Sequence, residues 1–146
     1  MLFSRSFTID QLSVGQTDSI QKQLTENDVM QFAQASGDEN PIHLDEEAGK
    51  ASIFGQRVVH GILVSGLISS VIAGKLPGNG SVYLGQTLRF TKPTFINDTI
   101  TATVTVTEID TTRNRVTLKT ICTNQHDETV ITGEATVLPP YASEVA

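Results

Sequence analysis

A single cysteine, Cys122, stands among 146 residues. No disulfide can close within the chain, so a reducing compartment, the cytoplasm, is the expected location. Membrane signals are missing too. The first residues form no apolar run of the secretory type. The longest apolar stretch, 62–76, is broken by serines and glycines and falls short of the roughly 20 residues that cross a bilayer. Basic residues are few: 10 Lys and Arg against 16 Asp and Glu leave a formal net charge of −6. A broad basic surface for nucleic acid or anionic membrane is excluded. An anionic small molecule needs only a local basic rim, and stays open. The three histidines, His43, His60 and His126, are widely spaced and match no zinc pattern. Gly78, Gly80 and Gly85 form no dinucleotide fingerprint, and the sequence has neither a P-loop nor a G-x-S-x-G elbow. Neither a metal nor a separate cofactor is expected.

What remains is a globular composition, 38% hydrophobic and 18% charged, at a length that suits one domain spanning 1–146. A domain this size buries roughly 68–70% of its unfolded surface and needs no staple. Residues 20–24 alternate as a strand. Thr25 reads as an N-cap, with Glu26 and Asp28 in the first turn, Val29, Phe32 and Ala33 at helical spacing, and Gly37 as the C-cap. Residues 38–43 read as a polar loop and 45–51 as a short helix. Residues 61–76 are apolar nearly all round, the mark of a buried helix. Beyond residue 80 the pattern turns extended. Thr99 to Thr107 alternate with Ile100, Ala102, Val104 and Val106, and further strands are expected at 81–91, 116–122 and 130–137. Helices first and strands later predict an α+β fold whose antiparallel sheet wraps the buried helix.

Two segments carry candidate chemistry. In Ser36-Gly37-Asp38-Glu39-Asn40-Pro41-Ile42-His43 a carboxylate and an imidazole flank a proline-containing loop able to turn both side chains one way. Such a pair can hold a water and move protons near neutral pH. The same residue types are ordinary turn formers, and spacing alone leaves both readings open. In Val59-His60-Gly61 the glycine opens the buried helix, where an unpaired N–H and the helix dipole would stabilise an oxyanion. Losing one such donor typically costs about 2.7–4 kcal/mol; a plain tight entry into a helix explains the glycine equally well. His60 reads as a packed, hydrogen-bonded side chain, and His126, beside Asp127 and Glu128, as a solvated turn residue.

Together these blocks resemble the MaoC-like, (R)-specific enoyl-CoA hydratase family. Ser36-Gly37-Asp38-x-Asn40-Pro41-x-His43 fits the family's hydratase motif without a gap, and Val59-His60-Gly61 follows at the expected distance. Leu76-Pro77-Gly78-x-Gly80-Ser81-x-Tyr83-Leu84-Gly85-Gln86 is similar to short bacterial members that supply polyhydroxyalkanoate precursors. The match runs from about residue 24 to residue 138. It implies a hot-dog fold, a homodimer and reversible syn hydration of trans-2-enoyl-CoA to (R)-3-hydroxyacyl-CoA. By the same resemblance, Asp38 and His43 are the catalytic pair and the Gly61 N–H binds the thioester carbonyl. Asn40 fixes the loop at the substrate, and Ser69 lies where the family places a serine near it. Arg89, Lys92 and Lys75 are candidates for CoA contact by charge alone. A hot-dog thioesterase and a non-catalytic acyl-CoA-binding protein are the alternatives; the Asp-x-Asn-Pro-x-His segment speaks against the first.

Overall fold

Threonine and aliphatic residues alternate along the centre of the sheet, and the alternation decides which face is dry. The structure, a computed structural model, describes residues 5–141. The ends of the expected span, 1–4 and 142–146, lie outside the described residues. The strands are β1 (Thr17–Gln23), β2 (Val82–Phe90), β3 (Thr99–Asp110), β4 (Arg115–Thr123) and β5 (Thr129–Leu138). In β3, Ile100, Ala102, Val104 and Val106 are buried while the threonines between them face outward. Val116, Leu118 and Cys122 of β4 and Ala135 and Val137 of β5 continue the same dry face.

One helix fills it. α4 (Gly61–Gly74) buries Val64, Leu67, Ile68, Val71 and Ile72 against β1, β2, β3 and β4. Fully burying each such side chain contributes about 1.5–3 kcal/mol. This is the hot-dog arrangement: a sheet curled around a central helix. All pairings are antiparallel, in the order β1-β3-β4-β5-β2. Strands β3, β4 and β5 form a meander. β2 crosses the layer and pairs with β5 rather than with β3, its successor in the chain.

Three more helices precede α4 and position the site. α1 (Glu26–Ser36) opens on a reciprocal capping box: Thr25 Oγ1 accepts from the Asp28 N–H at 3.2 Å, and Asp28 Oδ2 accepts from the Thr25 N–H at 2.9 Å. Gly37 ends it in the left-handed region, φ 80°, and turns the chain into the Asp38 segment. That segment differs from the expected loop. Its second half, α2 (Pro41–Leu44), is a helical turn with Pro41 at its start. Asn40 Oδ1 accepts from the Ile42 N–H at 3.3 Å and caps it. α3 (Glu46–Ala51) follows from its own cap, Asp45. β1 also begins earlier than expected, at Thr17, because its pairing with β3 extends the strand past the alternating residues.

Candidate active site

His43 reaches the site by three main-chain attachments. Its Nδ1–H donates to the Val58 carbonyl at 2.7 Å, the Val58 N–H donates to the Ile42 carbonyl at 3.1 Å, and Arg57 Nε donates to the His43 carbonyl at 2.9 Å. A carbonyl only accepts, so Nδ1 carries the hydrogen and Nε2 presents a lone pair. Burial lowers the proton affinity of His43, and His60 pushes the same way; the Val58 carbonyl and Asp38 oppose them. The imidazole is therefore a free base at neutral pH.

Asp38 stands at the exposed end of the same turn. Its N–H donates to Ser36 Oγ at 3.0 Å and its Oδ1 accepts from the Asn40 N–H at 3.2 Å, so short side-chain bonds set the loop. One ligand atom each of Asp38, His43 and His60 fall within 4.8 Å of one another. Two histidines that are 17 positions apart thus share one site, which sequence spacing could not show. As a metal set the group is poorly arranged. The two imidazoles stack at 3.9 Å with planes 29° apart, so their in-plane lone pairs lie in two layers rather than converging on one ion. As a proton-handling set it is well arranged: a carboxylate oxygen and an imidazole nitrogen lie within 4.8 Å, close enough to share one water.

Beside the pair lies an apolar cavity of about 390 Å³, whose walls include His43, Gly61, Phe54, Val64, Phe90 and Ile131. Gly61 begins α4, and no side chain caps that helix, because the imidazole of its N-cap residue His60 is turned toward Asp38 instead. The first N–H groups of a 14-residue helix are left at the cavity wall. Asp38, His43 and Gly61, named from sequence, thus come together. Asn40 sits in the supporting loop.

Ser69 does not join them. It lines a second, wider groove with Phe32, Ser65, Leu84 and Leu88, and Ile62 borders both. Of the three basic residues named by charge, Arg89 is exposed on β2 and is not in the cavity wall, whereas Lys92 lines the cavity and pairs with Glu128 at 2.6 Å. Lys75 is tied at the other end of α4 to Ser19 and Asp18. Two contributors were missed. Arg57 looks from sequence like any surface arginine, and Phe90 like any strand aromatic; only their tertiary contacts set them apart.

Residues 12–129 match the MaoC-like domain. The chain belongs to the MaoC-like family. Within the family it is 42% identical to an (R)-specific enoyl-CoA hydratase of Rhodospirillum rubrum over 90% of each chain. Among solved structures, the MaoC-like fold of this chain superposes on the R-hydratase PhaJ1 of Pseudomonas aeruginosa with a TM-score of 0.89 and 39% identity. That match covers 94% of this chain and 88% of that one. An (R)-hydratase from A. caviae involved in PHA biosynthesis gives a TM-score of 0.86 at 40% identity, covering 88% and 98%.

Proposed function

We propose that this MaoC-like protein is an (R)-specific enoyl-CoA hydratase, a hydro-lyase that adds water reversibly and on one face to trans-2-enoyl-CoA. The observation that carries the reading is the meeting of Asp38 with His43, which stands in the wall of an apolar cavity that the uncapped start of α4 also lines. Asp38 and His43 hold one water between them. One of them takes a proton from it as its oxygen bonds to the β-carbon, and negative charge flows through the alkene to the thioester oxygen. The Gly61 N–H meets that oxygen and stabilises the enolate-like transition state. The pair then delivers a proton to the α-carbon, so hydroxyl and hydrogen arrive from the same side. The two groups act as a coupled unit, and the proton balance belongs to the pair.

The apolar walls take the start of the acyl chain. Asn40 keeps the loop in register, and Ser69 meets the acyl tail only where it passes Ile62 into the second groove. Lys92 is the local basic group for the CoA phosphates. No separate cofactor or metal enters the scheme. A homodimer fits the surface: Val82, Tyr83 and Leu84 lie exposed on β2, an edge strand with one side unpaired. A cytoplasmic role in supplying polymer precursors or in fatty-acid metabolism agrees with the chemistry. No helix among the described residues is long and apolar enough to cross a membrane.

The test is crotonyl-CoA with the purified protein, following the conjugated absorbance and free thiol together, with chiral analysis of the product. Loss of the chromophore with formation of the (R)-alcohol is the expected result. Thiol release with the alkene intact would establish hydrolysis instead, and binding without either change would leave only an acyl-CoA-binding protein. Cys122 will not cloud the thiol reading, since burial pushes its pKa up to about 12.

A further inference from the structure

The scheme above uses Asp38, His43 and Gly61 and gives His60 no part, yet His60 is the most deeply buried of these side chains, 2% exposed. Three segments meet on its ring. It is the residue from which α4 starts. Its Nε2 lies 3.0 Å from the main-chain carbonyl of Asp38. One face stacks on His43 of α2, with centroids 3.9 Å apart, and Phe32 of α1 tilts against it at 4.8 Å and 59°. Its Nδ1 is buried with no hydrogen-bond partner.

These contacts set its tautomer. A carbonyl oxygen only accepts, so Nε2 carries the hydrogen and Nδ1 is a bare lone pair. We propose that His60 is a positioning residue for hydration: its N–H holds the Asp38 main chain in register with His43, and its stacked ring fixes the plane of the His43 imidazole. The proposal rests on the hydratase reading and adds to it a third side chain that touches no substrate atom.

The groups that face His43 are Asp38, His60 and the Val58 carbonyl. Arg57 holds the His43 carbonyl and is itself paired to Glu26 and Glu46. Lys92 lines the same cavity. Asp38 favours a charged His43; His60 opposes it.

The experiment compares His60→Phe, which keeps the stacked ring and removes the donor, with His60→Gln, which keeps a donor and removes the ring. For His60→Phe we expect kcat on crotonyl-CoA to fall by about 100-fold, the scale of a misplaced reacting group. KM should stay within about twofold, since the residue touches no substrate. His60→Gln should recover part of kcat, and in both variants the acid limb of the rate profile should move to higher pH, because His60 no longer opposes a charge on His43. Wild-type kcat and an unmoved acid limb in both folded variants would overturn the proposal. So would a parallel loss of substrate binding and thermal stability with the pH profile unchanged, which marks a merely structural residue. Nitrogen NMR of the unsubstituted protein supplies a reading that needs neither turnover nor a folded variant. At neutral pH His60 should carry its hydrogen on Nε2, the donor to the Asp38 carbonyl. A His60 hydrogen found on Nδ1 instead would sink the proposal. If the protein shows no hydration at all, the hydratase reading fails by itself, and the NMR result still reports whether His60 donates to Asp38.

Discussion

The ring of Phe90 lies against the α-carbon of Gly61: a β-carbon built on Gly61 would come within 2.6 Å of Phe90 Cε1 and 2.7 Å of Cδ1. Any side chain at position 61 therefore meets an aromatic wall at the proposed oxyanion donor. Gly61→Ala should lower kcat by about 100- to 1,000-fold, the range for a lost oxyanion contact. Stability should change little, because Phe90 is half exposed and can swing away. Steady-state kinetics and thermal melting check the split. Replacing Phe90 by Leu in the same chain should recover part of the loss.

Asp38→Asn keeps the shape of the loop and removes a proton acceptor, while His43→Ala removes the free imidazole nitrogen. Each should reduce hydration by about 100- to 10,000-fold, the usual contribution of a positioned acid or base. The double variant should be hardly worse than either alone, because a coupled pair loses its function once. Retained activity in both single variants, measured on crotonyl-CoA, would remove the pair from the mechanism. Since Asp38 is exposed, its substitution should leave the melting temperature nearly unchanged.

Burial and His60 hold the proton affinity of His43 below its ordinary value of 6.5. For kinetics, the acid limb of kcat/KM should accordingly lie below that value. For stability, the unfolded chain binds a proton at His43 that the folded chain refuses. The contribution is complete above 6.5 and is lost as pH falls through the folded value. Urea unfolding of the wild type and of His43→Gln across this window gives the check. The difference in stability between the two proteins should shrink as the solution becomes more acid.

Arg57 is 7% exposed, whereas the carboxylates it pairs with, Glu26 and Glu46, are 63% and 69% exposed in their side chains. Exposed ion pairs contribute about 0–1 kcal/mol, so Glu26→Gln or Glu46→Gln should barely move the unfolding midpoint. Arg57→Met strands the His43 carbonyl and should cost about 1–3 kcal/mol. The same substitution should lower kcat, because the guanidinium Nε holds the main chain of His43. Denaturant unfolding of the three variants would separate the two effects; equal costs would show that the charge pairs, not the carbonyl bond, matter.

Much of the scaffold was legible in the chain. A run apolar nearly all round marks a buried helix in 61–76, and the two-residue period of β3 separates threonines from aliphatics. Thr25 and Gly37 announced both ends of α1 because capping is local chemistry. Where long-range pairing decides, the reading was blunter. The start of β1 depends on how far β3 extends beside it. The position of β2 beside β5 depends on a crossover that no local pattern encodes. Four residues are too few to show a helical period, so α2 reads as loop in the sequence; its signal is Asn40-Pro41, a cap followed by a first-turn proline.

The site divides along the same line. Asp38, His43 and Gly61 were nameable because their residue types and order carry chemistry that motif reading can recognise. Ser69 was nameable too, yet the helix turns it into a second groove. Arg57, Phe90 and the stacked ring of His60 owe their roles to contacts between elements far apart in the chain. The amino-acid sequence by itself determined the elements, the dry faces and the reactive types, since these follow from local backbone preference and from side-chain polarity. Only the tertiary structure decided that His60 sits on His43, that Arg57 holds its carbonyl and that Phe90 closes over Gly61. Those relations depend on the curvature of a sheet around one helix, and distance in space is not written in distance along the chain.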